Sequence, residues 1–311
     1  MDAAVTSGIG YWGVPLAVLG GAVRIGTPFL FVSLGECVTE KSGRVNLGLE
    51  GTLVMGAMSA YAVSYHSGSP WLGVLAAGLV GVPLGFIHGY LSSKPRVNDI
   101  ALGIAMMLFG LGLAFYLGKP YIQPSAPHLP AIPFGFFSNE PSVRSALDVN
   151  ALFVLGLALT PALTWFLRKT RWGLILRTVG ESAESARAMG YDVNRVRLYA
   201  TMAGGFLAGV GGSFLSLFYP GSWNERISSG QGLMAVALVI FARWDPVRCL
   251  FASLLFGGAS AIGPALQSVG ITYGYYLWNA APYVLTLTIM LISSSATQTS
   301  ADMPAELAVG R

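Results

Sequence analysis

Apolar and polar residues in this chain fall into long blocks rather than alternating position by position. Runs at 14–34, 46–65, 71–91, 98–117, 151–167, 199–219, 233–242, 249–266 and 281–292 are almost free of charge, with short clusters rich in Lys, Arg, Gly, Pro and Ser between them. A hydrocarbon core of about 30 Å is crossed by about 20 apolar residues in a helix, and most of these runs have that length. Without water, every backbone polar group has to be satisfied within its own helix. The predicted fold is therefore an all-α, polytopic transmembrane helix bundle of about nine spans, within a range of eight to ten. Arg24 and Pro28 interrupt the first run, so Arg24 either lies inside the span or marks an interfacial segment before a steep helix from Ile25 toward Glu40. The run at 233–242 is short enough to be a re-entrant half-helix; eight crossings would then leave the C-terminus outside.

The intervening segments set orientation and domain organisation. Lys41 and Arg44, Lys94 and Arg96, and then Arg168, Lys169, Arg171, Arg177, Arg187, Arg195 and Arg197 fall on alternate loops, which places those loops in the cytoplasm. Residues 119–150 carry Pro120, Pro124, Pro127, Pro130, Pro133 and Pro141, so no spanning helix fits and an ordered external loop is expected. The chain reads as one transmembrane domain over 1–311, with this external loop, a cytoplasmic loop at 168–198 and a polar, disordered tail at 294–311. Met1 and Asp2 are not followed by a basic n-region, so a cleaved signal peptide is not expected.

Composition narrows the function classes. Of 311 residues 54% are hydrophobic and 10% charged, with a mean hydropathy of +0.62, outside the range of a soluble domain. The 40 glycines suit membrane helices, where small residues let backbones approach closely; Gly81, Gly85 and Gly89 form such a stripe, with His88 beside it as a satisfied polar residue. The net charge of +4 comes from loop clusters that orient the chain, which argues against nucleic-acid binding. Cys37 and Cys249 give no disulfide framework, and His66, His88 and His128 have no metal-ligand spacing.

Several constellations remain. "RTVGESAESARAMGYDVNRVRLYA", 177–200, is charged and helix-forming where a few residues would turn the chain, which suggests a docking surface for a soluble partner. Thr178 and Glu181 have capping-box spacing, Arg187 suits a C-terminal turn and Gly190 a left-handed stop, so one helix over 179–189 is expected, with Ala183, Ala186, Ala188 and Met189 as a low-profile surface. The competing reading is an amphipathic helix resting on the bilayer. Asn46 and Glu50 lie four apart on one helical face: either a cap with an interhelical hydrogen bond, or part of a gate or pathway. Asn98 and Asp99 read as caps of the next helix, with a gate role as the alternative. Gln231 and Asp245 with Pro246 bracket the short run, as in a broken helix lining a pathway, although Asp245 also suits a simple cap. Trp223, Asn224 and Glu225 stand either on an external gate or binding-protein surface or as an interfacial Trp loop.

The chain carries no phosphate-binding loop: "GLAFYLGKP", 112–120, has one residue too many between its glycines and Pro where Ser or Thr is needed. Neither a nucleophile with a partnered base nor a metal cluster supports an enzyme. The motifs "GRVNLGLEG" at 43–51, "TVGESAESARAMGYDVNRVR" at 178–197 and "GLMAVALVIFARWDP" at 232–246 resemble, within a likeness covering nearly the whole chain, the permease subunits of bacterial ABC importers of the branched-chain amino acid, ribose and nucleoside group, most of all the nucleoside and simple-sugar branch. The resemblance implies alternating access driven by partner ATPases in the bacterial cytoplasmic membrane, a second related permease, an extracellular or periplasmic binding protein, and no cofactor on this chain, ATP and Mg being bound by the ATPase. It implies coupling to the ATPase through Thr178, Gly180, Glu181, Glu184, Ala186, Arg187, Ala188 and Gly190, with Asn46, Glu50, Asn98 and Gln231 as pathway or gate candidates. The alternatives are an ion-coupled secondary transporter, for which Glu36, Glu50 and Asp99 stand too near the cytoplasmic helix ends, and a permease for branched-chain amino acids.

Overall fold

The computed structural model describes residues 13–136, 143–144, 147–268, 270–271, 273–293 and 303–309. The expectations for the N-terminal residues 1–12, for 137–142 and 145–146 of the proline-rich loop and for 294–302 and 310–311 of the tail lie outside the described residues.

The helices are α1 Gly13–Lys41, α2 Leu49–Ser67, α3 Pro70–Ser92, α4 Asp99–Gly118, α5 Ala151–Lys169, α6 Arg171–Glu181, α7 Ala183–Ala188, α8 Val193–Leu217, α9 Gln231–Phe241, α10 Pro246–Ser268, α11 Tyr275–Asn279, α12 Ala281–Ser293 and α13 Ala305–Val309. Among the described residues six helices are long and apolar enough to cross a membrane: α1, α3, α4, α5, α8 and α10. Arg24 lies inside α1, and Pro28 is accommodated within the same continuous helix. Two short antiparallel strands, β1 Ala131–Pro133 and β2 Asp148–Asn150, tie the proline-rich loop together. That loop lies over the ends of α2 and α8: Tyr61 Oη donates to Pro124 O (2.8 Å), Ser64 Oγ to Pro127 O (2.8 Å) and Leu129 N to Leu217 O (2.8 Å).

α8 is the axis of the bundle, flanked by α1, α2 and α3, while α10 runs along α1 and α4 along α2. Glycine makes these approaches possible. A Cβ on Gly81 or Gly85 would overlap the carbonyls of Gly205 or Thr201 on α8, and one on Gly56 would lie 2.6 Å from Gly209 O. The glycine stripe is thus a helix contact, in which backbone-to-backbone packing takes the place of the hydrophobic effect. His88 is fully buried beside it, its Nε2 3.2 Å from Val45 O.

The tail departs from the expectation of disorder where it is described. Residues 303–309 return to the helix ends that carry the positively charged loops, where Met303 and Leu307 pack against the cluster of Leu34, Trp244 and Leu250 and Glu306 binds Arg197 (2.9 Å) and the Ala183 N–H (2.8 Å). Polar composition over 294–311 conceals a short segment with two core-packed apolar residues, Met303 and Leu307, and one well-placed carboxylate.

Candidate functional site

α9 has 11 residues, too few to span the bilayer alone, and its N-terminus starts inside the bundle. After α8 the chain re-enters through 218–230, and Gly230 (φ +84°) turns it into α9 from a left-handed conformation. The first N–H groups of any helix lack intrahelical acceptors, and in a bilayer no water replaces them. Glu50 fills that gap. Its buried carboxylate accepts from Ser228 Oγ (2.6 Å) and Gly230 N (3.1 Å) on Oε1 and from Gly232 N (2.6 Å) on Oε2, where the positive end of the helix favours an anion. Gly232 has to be glycine, since a Cβ there would sit 2.6 Å from Glu50 Cα. Glu50 is also deeper than its place at the start of α2 suggests. A Cβ on the neighbouring Gly51 would lie 2.7 Å from the carbonyl of Met107, and Met107, eight positions after Asp99, is ~12 Å along α4 at 1.5 Å per residue. The "GRVNLG" segment dips into the bundle before α2 begins.

α9 separates two cavities. Leu233, Val236, Ala237 and Ile240, on one helical face, line a cavity of about 520 Å³ at the end that carries Arg44 and Arg197. Gln231 and Met234 line another of about 240 Å³ toward the other end, together with Arg24, Ser229, Asn279 and Tyr283; Gln231 Oε1 is buried there without a hydrogen-bond donor. The larger of these two cavities has a polar rim. Arg44 Nη1 binds both carboxylate oxygens of Asp99 (2.8 and 3.0 Å). Arg197 donates from Nε to Ser42 O (3.0 Å) and from Nη2 to Glu306 Oε2 (2.9 Å). Trp244 Nε1 donates to buried Glu40, and Cys37 Sγ to Trp244 O (3.1 Å). The turn after α9 is thereby fastened to α1.

The structure therefore distributes the four pathway candidates. Asn98 caps α4, accepting from Ile100 N (2.9 Å) and Ala101 N (3.0 Å), and also lines the 520 Å³ cavity. Asn46 caps no helix: Gly48 takes that position in α2, while Asn46 N donates to buried Glu36 (2.7 Å) and its Oδ1 accepts from Gly48 N (2.9 Å), bracing the entry loop. Glu50 holds α9, and Gln231 opens it on the opposite cavity. Asp245 caps α10, accepting from Val247 N (3.0 Å) and Arg248 N (3.2 Å). Trp223 is buried against Gly118 rather than set on an exposed loop surface, while Asn224 and Glu225 are exposed.

The segment around 177–200 folds differently from a single helix. Ser182 breaks it: α6 ends at Glu181, and Ser182 Oγ caps α7 by accepting from Ser185 N (3.1 Å). Thr178 is no cap, since its Oγ1 donates to Leu174 O (3.0 Å) within α6. Ala183 and Ala186 turn inward against Val179 and Val193, so the outward face of α7 is made by Glu184, Ser185, Arg187, Ala188 and Met189. Gly190 (φ +85°) provides the left-handed stop, with Tyr191 N returning to Ala186 O (3.0 Å). Gly180 is buried where a Cβ would collide with the Lys41 carbonyl, joining α6 to the end of α1. Sequence reasoning missed Glu306, which joins α7 to α8 through Ala183 and Arg197. Burial would raise its carboxyl, but the hydrogen bonds from Ala183 N–H and Arg197, with the charges of Arg197 and Arg187, more than offset this and hold it below the usual carboxylate value. Its capping-competent acid within "PAELAV" was the one available signal.

A polytopic helical protein, with a broken helix between two cavities and a structured charged loop at one end, belongs in the class of membrane permeases. The comparisons with known proteins specify which. A family model described as the branched-chain amino acid transport system permease component matches residues 10–294, and the chain belongs to that family. Guanosine ABC transporter permease protein NupQ of Bacillus subtilis is 32% identical over 286 residues, covering 84% of this chain and 86% of its own. TsgC13 of Haloferax volcanii, provisionally named a glucose ABC transporter permease, is 33% identical over 259 residues (82% and 79%). Nucleoside ABC transporter permease protein NupC of Lactococcus lactis is 29% identical over 282 residues (86% and 88%).

Proposed function

We propose that this multi-pass permease subunit carries a nucleoside or simple sugar inward across a bacterial cytoplasmic membrane by alternating access, as part of an ABC importer. The observation that carries the reading is α9: one helix walls two cavities, with a fixed carboxylate at its N-terminus and a tethered turn at its C-terminus. A small tilt of such a partition closes one cavity as it opens the other. Similarity to permeases named for guanosine, nucleosides and glucose supports a neutral, polyhydroxylated solute. The six long apolar helices, with α2, α12 and the re-entering segment 218–230 completed by α9, would make nine crossings, an external N-terminus and a cytoplasmic C-terminus. Contact of 303–309 with the positively charged loops supports that orientation.

ATP and Mg would bind a partner ATPase docked on the outward face of α7 and the exposed Glu181, within the group Thr178, Gly180, Glu181, Glu184, Ala186, Arg187, Ala188 and Gly190. Buried Gly180 and Ala186 would transmit force rather than touch the partner. A second related permease and an external binding protein would complete the assembly. The test is purification of the tagged chain from its native membrane, followed by ATPase assay and uptake of labelled nucleosides and hexoses in proteoliposomes. Copurifying ATPase and permease with ATP-dependent uptake are expected; a chain that purifies alone and transports on an ion gradient would overturn the reading.

A further inference from the structure

We propose that the basic cleft between the cytoplasmic ends of α1, α5 and α10, bounded by α6, binds the phosphate of an anionic membrane lipid headgroup. Lys41, Arg168, Arg177, Arg243 and Arg248 line a cavity of about 210 Å³ in which Asp245 is the single acid among the lining residues. Asp245 is already engaged, pairing with Arg168 (2.5 Å) and capping α10 through Val247 N and Arg248 N. Positive charge in excess of that carboxylate therefore converges on one concavity, which the ordinary scatter of cations over cytoplasmic loops does not require. Arg177 Nε is buried and meets no acceptor, although a buried guanidinium N–H ordinarily has one. The turn that carries Arg243 into the cleft holds two successive non-glycine residues, Arg243 (φ +50°) and Trp244 (φ +55°), in the left-handed region, a costly conformation found where surrounding structure enforces it.

The position of the cleft favours a lipid over a free anion. Lys41 is the last residue of α1, Arg168 the last but one of α5, and Arg248 lies in the first turn of α10, so the cations sit at the level where membrane helices meet the headgroups. Phe251 and Leu255 follow Arg248 on the same face of α10 and are 65% and 50% exposed. An amphiphile would thus find cations above and apolar surface directly below, whereas inorganic phosphate would use the first alone. Guanidinium groups suit the phosphate oxygens by their paired donors.

The full-length chain, purified and delipidated in a neutral detergent, is titrated with short-chain phosphatidylglycerol, short-chain phosphatidylcholine or inorganic phosphate while its melting midpoint is read. Saturable stabilisation by phosphatidylglycerol alone is expected. Arg177→Gln with Arg248→Gln should weaken that binding about thirty-fold, at about 1 kcal/mol for each surface cation; the exposed Arg248→Gln alone, the variant least able to disturb folding, should weaken it about five-fold. Lys169→Gln with Arg171→Gln, outside the cleft, should leave it unchanged. Equal effects of the two lipids, stabilisation by inorganic phosphate matching that by phosphatidylglycerol, or wild-type lipid binding by Arg248→Gln would each overturn the proposal. So would a double variant that keeps its lipid affinity but loses a copurifying ATPase, which would make the cleft a protein contact.

Discussion

Replacing Glu50 tests the clamp on the broken helix directly. Glu50→Ala removes the acceptor of three donors at once: Ser228 Oγ, Gly230 N and Gly232 N. The serine hydroxyl can rotate, but the two backbone N–H groups are fixed at the helix start. At roughly 1–3 kcal/mol for each buried donor left without a partner, the Ala variant should lose ~2–6 kcal/mol. Glu50→Gln keeps the shape and one acceptor oxygen but turns an NH₂ group toward an N–H, so it should lose about 1–3 kcal/mol. For a protein of this size, that corresponds to a fall in melting midpoint of very roughly 5–15 °C for Ala and a few degrees for Gln. The assay is thermal unfolding of the purified chain in lipid nanodiscs, with hydrogen exchange read at residues 228–234 to localise the change. Exchange there should accelerate in the order Ala, Gln, wild type. Uptake should fall more steeply than stability, because a loosened α9 no longer keeps its two cavities separate. An Ala variant with a midpoint within 1 °C of wild type and unchanged exchange at 228–234 would refute the clamp.

Gly85→Leu should abolish stable insertion, because even a Cβ there overlaps the α8 backbone, whereas Gly112→Ala on α4, with open space around it, should be neutral or stabilise by ~1 kcal/mol; monodisperse yield in detergent separates the two. Glu181→Lys with Arg187→Glu inverts the exposed charges beside and on α7 and should cut ATP-driven uptake at least ten-fold while the chain inserts normally; wild-type uptake would move the docking surface elsewhere. Because the Glu306 carboxyl is held below its usual value in the folded protein, its contribution is full above the unfolded-state value and fades as pH falls through the lowered folded value. Protease protection of 303–309 should therefore be constant from pH 7 down to the ordinary carboxylate range and decline only below it, and Glu306→Gln should weaken that protection already at pH 7.

Helix positions and packing glycines were legible because they depend on local information. An apolar run of membrane length dictates a helix wherever it lies, and Gly81, Gly85 and Gly89, four apart, face one neighbour whatever that neighbour is. The single helix expected over 179–189 failed because local pattern is ambiguous there: Thr178 and Ser182 both suit a capping position, and in the fold Ser182 caps while Val179, Ala183 and Ala186 pack against Val193 of α8. The candidate site was less legible because its bonds join residues far apart in sequence. Asn46 and Glu50 were placed on one face by spacing, but spacing assigns a carboxylate at a helix start to its own helix, and Glu50 instead serves the start of α9, 182 positions later at Gly232. The inserted segment 218–230 and the depth of the "GRVNLG" entry decide that pairing, and neither leaves a periodic signal. Glu306 shows the same limit from the other side: a short polar tail reads as disorder until Arg197 and the free N–H of Ala183 are seen to converge on it. If transport proceeds as proposed, by moving α9 and α7 against their neighbours, the contacts that control it join distant segments, and the residues hardest to read from local pattern are then the ones on which that motion would depend.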